Sequence, residues 1–140
     1  MKTMKKIAVI LMAAMILVCT ACGVDKTKAL ETYAQTEEWK TMISEAEAQA
    51  KAQGMTLETT VVGNSMTYNY ILDDGSLGED PDLAKLKEIL DGEIEKQRST
   101  VSNYAGDINK ELGITDTKIK FVYTYEGSEI TSADFAEETN

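Results

Sequence analysis

The hydrophobic positions of this chain change period along its length, and each change predicts a new element. Ile7 to Val18 is an unbroken apolar run, with Lys2, Lys5 and Lys6 before it and Thr20-Ala21-Cys22 behind it. That is the layout of a secretory signal peptide, and the run falls short of the about 20 apolar residues that a membrane-spanning helix takes. From Gly23 to Gln35 the sequence is polar, with Leu30 and Tyr33 as its only large apolar residues. It reads as a tether with a turn able to dock against the domain. Helical spacing starts at Thr36, whose hydroxyl suits an N-cap, and Glu37 and Glu38 meet the positive end of the helix dipole. Trp39, Met42, Ile43, Ala46 and Ala50 then share one stripe up to a stop at Gly54. Leu30 and Tyr33 fall on the opposite side of that wheel, which places the start of the domain at residue 36.

Residues 55–72 alternate with period two on either side of Gly63-Asn64, a pair suited to a two-residue hairpin turn. Setting Val62 opposite Ser65 pairs Val61 with Met66, Thr59 with Tyr68, Leu57 with Tyr70 and Met55 with Leu72. Both strands then put their large apolar groups on one face, and Thr56, Glu58, Thr60, Thr67 and Asn69 occupy the other. Asp73 to Asp82 is an acidic loop, predicted to end with Asp80 as a helix cap and Pro81 at the first helical position. A long helix comes next, with Leu83, Leu86, Leu90, Ile94, Val101, Tyr104, Ala105, Ile108 and Leu112 on one stripe that only Gln97 interrupts. Gly113 closes it, and Gly92 and Gly106 lie on its solvent side. Thr117 to Phe135 predicts a second hairpin, with Ile119, Phe121, Tyr123 and Tyr125 on its apolar phase. A Gly127-Ser128 turn would leave Phe135 facing the wrong way, which requires a bulge, a three-residue loop or an early end to the last strand.

The order helix, hairpin, helix, hairpin predicts an α+β fold, an antiparallel sheet of about four strands with helices packed on one face. The expected divisions are a signal peptide over 1–21, a lipidated cysteine and tether over 22–35, a single domain over 36–136 and an acidic tail over 137–140.

Charge narrows the partners. The chain has 14 basic and 24 acidic side chains and a formal charge of −10, and removing residues 1–21 with their three lysines takes it to −13. Such a surface repels polyanions, so no nucleic-acid partner is expected. The two cysteines, Cys19 and Cys22, both precede the domain, and there is no histidine. A disulfide, a thiolate nucleophile, a Cys- or His-ligated metal and imidazole-based catalysis are therefore not expected in the domain. No spacing singles out a carboxylate pair or a Ser-Lys dyad for a hydrolase either. The chain reads as a non-enzyme without a cofactor.

Two groups of residues remain as candidates. Asp73, Asp74, Glu79 and Asp80 place several carboxylates in one loop, which suits weak Ca²⁺ binding, although Gly75 and Leu77 stand where an EF-hand needs ligands. Glu58, Thr60, Asn69, Lys118, Lys120 and Thr124 share the polar face of the sheet, where a protein or glycan partner would bind. Tyr68, Tyr70, Tyr123, Tyr125 and Trp39 sit on apolar phases and are assigned to the core instead of a ligand groove.

Leu17-Val18-Cys19-Thr20-Ala21-Cys22-Gly23 resembles the lipobox of bacterial lipoproteins, with Cys22 as the lipid acceptor and Cys19 where the motif usually has Leu. Two acyl chains such as palmitate on Cys22 would anchor the protein to the membrane durably. The lipobox, polar tether, capped helix ending in Gly-Met, Tyr-containing strand, long Leu/Ile helix and final hairpin with Glu-Gly-Ser-Glu resemble a family of small uncharacterised Gram-positive lipoproteins. That family carries a domain of unknown function, and the likeness spans roughly Leu30 to Phe135. It implies an exported, membrane-anchored domain with no known activity. The lipobox, the compact domain and the lack of catalytic groups lead to the expectation of a lipid-anchored protein on the outer face of the cell membrane, acting as a non-catalytic binding or interaction module. The alternatives are a small-molecule or Ca²⁺ carrier and a secreted soluble binder.

Overall fold

The computed structural model describes residues 25–138. A 3₁₀ turn, Lys26–Lys28, leads into α1 (Ala29–Tyr33), followed by α2 (Glu37–Ala52), β1 (Met55–Val62), β2 (Ser65–Leu72), α3 (Leu83–Leu112), β3 (Lys118–Tyr125) and β4 (Ser128–Ala136). The α+β class stands, with helices packed against one four-stranded sheet of order β1-β2-β3-β4. The first hairpin has the register read from the sequence, from Met55 opposite Leu72 to Val62 opposite Ser65. Gly63 takes a φ of 61° while Asn64 stays outside the positive-φ set, so only the first turn position needs glycine.

The central pair departs from the expected antiparallel sheet, because β2 and β3 run parallel. The cause is α3, whose 30 residues extend about 45 Å and carry the chain back to the end where β2 began. The eight-residue strands reach only about 26 Å, so α3 outruns them. It packs chiefly on β4, while α2 packs on β1.

Parallel pairing aligns the inner faces of β2 and β3: Met66 beside Ile119, Tyr68 beside Phe121, Tyr70 beside Tyr123 and Leu72 beside Tyr125. All eight are buried, and Tyr70 stacks on Tyr123 with centroids 5.1 Å apart. Leu86, Leu90, Ile94, Val101, Ala105, Ile108 and Leu112 close over them from α3. Full burial of such a side chain contributes roughly 1.5–3 kcal/mol each, which fixes the helix to the sheet. The aromatic residues assigned to the core are in it, Trp39 included.

Three local details differ from the sequence reading. The cap of α3 is Asp82, which accepts the Lys85 amide at 3.0 Å, while Asp80 has a φ of 53° and Pro81 lies outside the helix. Proline disfavours helical backbone in the residue before it, so the helix starts beyond the Asp80-Pro81 pair. The second turn is Glu126-Gly127, with φ 48° and 81°, and Tyr125 opposes Ser128. A bulge then shifts the register between Tyr123 and Thr124, skips Ile130, and returns Phe135 to the inside opposite Ile119. This is the bulge that the misdirected Phe135 required. Finally, Gly92 is open to solvent, but Gly106 is covered by the side chain of Glu137.

Candidate functional site

The packed unit begins earlier than residue 36. Leu30 is fully buried and Ala29 and Tyr33 nearly so, which makes the segment expected to be a tether part of the core from Ala29 onward, with the exposed turn Lys26–Lys28 leading into it. Asn64 holds it there. The Asn64 Oδ1 accepts the Leu30 amide at 3.0 Å, and Nδ2 donates to the Lys26 carbonyl at 2.7 Å and to Asp116 Oδ1 at 2.9 Å. The Asn64 carbonyl accepts the Lys118 amide, which starts β3. Glu31 clasps the same turn twice, its amide donating to the Gly63 carbonyl and its carboxylate accepting the Gly63 amide.

A second buried asparagine organises the neighbouring corner. Asn109 Oδ1 accepts the Thr117 amide at 3.0 Å, and Nδ2 donates to Glu137 Oε2 at 2.8 Å. Lys26 Nζ donates to the Leu112 carbonyl at 2.9 Å, setting a cation at the negative end of the α3 dipole. A cleft of about 340 Å³ lies between Lys26, Thr27 and the 113–116 segment, and an open groove of about 720 Å³ runs alongside between α3 and Glu137-Glu138. One end of the domain is thus built from residues 25–31, the 63–65 turn, the α3 C-terminus and the β4 exit. We call it the turn end. Thr27 donates from its hydroxyl and its amide to the Asp25 carboxylate and holds that acid below its ordinary value.

The sheet's outer face is the second candidate region. Glu58, Asn69, Val122 and Ser132 form one row across the four strands, and Thr60, Thr67, Lys120 and Asp134 form the next. Glu58, Thr60, Asn69, Lys118, Lys120 and Thr124 therefore do share one face. Thr124 donates to Asn69 Oδ1 at 2.9 Å within it. No described helix covers this face.

The acidic loop is not assembled as a metal centre. Asp73, Asp74, Glu79 and Asp80 are exposed, and among the described residues no three His, Cys, Asp or Glu side chains converge to hold a metal. Cys22 lies outside the described residues. Among those described, no helix is long and apolar enough to cross a membrane.

A family model described as a domain of unknown function, DUF4854, matches residues 30–135. The chain belongs to the DUF4854 family. Its boundaries coincide with the packed unit, since Leu30 is the first large residue buried in the DUF4854 core and Phe135 the last. No match was found among curated proteins or solved structures.

The turn-end network is the part of the DUF4854 domain that sequence reading missed. Gly63-Asn64 was legible as a turn, but nothing local shows that the asparagine side chain reaches residues 26, 30 and 116. The one signal was Leu30 itself, a large apolar residue in a polar stretch.

Proposed function

We propose that this protein is an exported lipoprotein, anchored by acyl chains on Cys22 to the outer face of the cell membrane, whose DUF4854 domain is a non-catalytic binding module. The carrying observation is the junction between motif and fold. A lipobox-type segment ends at Cys22, regular structure begins at Lys26 and the buried core at Ala29, so a signal, an acceptor cysteine and a domain succeed one another within a few residues. The uncovered sheet face, with its mixed Thr, Lys, Asn and Glu side chains, supplies a surface for an envelope protein or glycan. The domain has neither histidine nor cysteine for catalysis.

Intact mass and membrane fractionation of the exported protein beside a Cys22→Ala variant test the anchor. The expected result is a diacyl-sized mass increment at Cys22 and release of the variant into the medium. An unmodified, soluble wild-type protein would overturn it. Proximity labelling from the anchored protein tests the binding role, and a screen without any reproducible envelope neighbour would count against it.

A further inference from the structure

We infer that the turn end of the domain rests on the headgroup surface of the bilayer, with Val62, Lys28 and Lys118 against the lipid and the acidic loop of residues 73–82 facing away. This rests on the Cys22 anchor proposed above, and the observations that orient the domain are separate from it.

The first is length. Only Gly23 and Val24 separate Cys22 from Asp25, and three Cα–Cα steps span at most about 11 Å whatever their conformation. Asp25 is tied to Thr27, and Lys26 and Leu30 are tied to Asn64, so the anchor attaches to the turn end and not to a free arm. The far end, where β2 and β3 finish, lies about 26 Å further out along the strands.

The second is the surface itself. Val62 is 69% exposed, against 42% for Leu83, the other exposed large hydrophobic residue among those described, and it sits at the Gly63-Asn64 turn. Lys28 and Lys118 flank that turn, and among the described residues neither belongs to an ion pair. Asp25, Glu31 and Asp116 at the same end accept internal hydrogen bonds from Thr27, Gly63 and Asn64 and keep their negative charge, and the Lys28 charge acts on Asp25. An exposed aliphatic group beside lysines is what an interfacial contact uses.

The third is polarity along the strands. The opposite end gathers Asp73, Asp74, Glu79, Asp80, Asp82, Glu126 and Glu129 against Lys51 and Lys85. The turn end carries Asp25, Glu31, Glu111, Asp116, Glu137 and Glu138 against Lys26, Lys28, Lys110 and Lys118, so anionic headgroups repel the opposite end more strongly, and this difference favours the upright orientation. The strands then stand away from the membrane, and the uncovered sheet face points sideways, toward neighbours anchored in the same leaflet.

The test uses the full-length lipidated protein in vesicles of phosphatidylethanolamine and phosphatidylglycerol doped with a nitroxide-headgroup lipid. Cys22 is the sole cysteine left after signal removal and its thiol is acylated, so an introduced cysteine takes a single fluorophore. Val62→Cys and, as a second turn-end site, Thr115→Cys are expected to be quenched several-fold more than Asp80→Cys and Thr124→Cys. A ten-residue Gly-Ser insertion after Val24 should lower the quenching at residue 62. Equal quenching at 62, 80 and 124 in protein whose mass shows the lipid would overturn the orientation while leaving the anchor intact. Strong quenching at 124 would mean that the sheet face lies on the membrane, and would overturn it equally. Absence of the lipid mass is the separate failure of the anchor.

Discussion

Asn64 accepts the backbone amide of Leu30 at 3.0 Å across 34 residues of sequence, and this bond makes the N-terminal segment part of the fold. The Leu30 side chain is fully buried, so its amide has no water to replace the asparagine. A stranded buried donor costs about 1–3 kcal/mol. Asn64→Ala is expected to lower the unfolding free energy by about that amount. Urea denaturation measures it, and an unchanged midpoint would show that the segment is held by apolar contacts alone. Asn64→Ser, which keeps a small polar group in the turn without the reach, should behave like the alanine variant.

The first hairpin was legible residue by residue because alternation and a Gly-Asn turn are local signals. Direction in the middle of the sheet was not. Whether β3 runs parallel to β2 depends on how far α3 carries the chain back, and the apolar stripe from Leu86 to Leu112 gives the helix length without saying which strand receives it. The bulge that skips Ile130 lay between these cases: Phe135 could not face inward without an irregularity, so its existence followed from the pattern and its position did not. The candidate polar face was legible through the same alternation. The turn end was not, since Asn64, Asn109, Lys26 and Glu137 meet only after folding.

Thr131 on β4 donates its hydroxyl to Asp91 on α3, which also pairs with Lys87 at 2.6 Å. The Lys87 ammonium first, and the Thr131 hydroxyl second, hold the Asp91 carboxyl below its ordinary 3.8. A depressed acid favours the folded, ionised state, so its contribution is complete above that ordinary value and is lost as pH falls through the lower, folded one. Thr131→Val is expected to cost about 1 kcal/mol at neutral pH. The gap between the variant and wild type should narrow as pH falls below 3.8, which thermal melts at stepped pH would reveal. A gap independent of pH would assign the loss to packing of the buried Thr131 and not to the carboxylate.

The tyrosine core gives the opposite sign at the alkaline end. Burial pushes the hydroxyls of Tyr68, Tyr70, Tyr104 and Tyr123 above the ordinary 10, and Tyr33 rises with them through burial and the nearby Glu38 carboxylate. The folded state therefore favours neutral phenols: their contribution is complete below pH 10 and declines as pH rises beyond it. Absorbance at 295 nm should show tyrosinate forming at higher pH in the native protein than in urea-unfolded chain. Ionisation of these phenols should coincide with loss of near-ultraviolet circular dichroism. Five phenols titrating freely near 10 in the folded state would contradict the stacked, closed arrangement of Tyr70 on Tyr123.

Gly92 and Gly106 separate helix propensity from tertiary contact on one helix. Both lie inside α3, and replacing an interior helical glycine by alanine is worth about 1 kcal/mol of stabilisation where nothing obstructs the new methyl group. At Gly92 no atom lies within 4 Å of a built Cβ, so Gly92→Ala is expected to gain the full amount. At Gly106 the same Cβ meets Glu137 Oε1 at 3.2 Å and two of its carbons at 3.3 Å. The glutamate can yield, but moving it disturbs the carboxylate that accepts from the buried Asn109 amide at 2.8 Å. Gly106→Ala should therefore gain less than Gly92→Ala, and the difference should shrink in a Glu137→Ala background, where the contact is already gone. Matched urea midpoints for the two glycine variants would place Glu137 outside the fold and reduce the α3 groove to open surface.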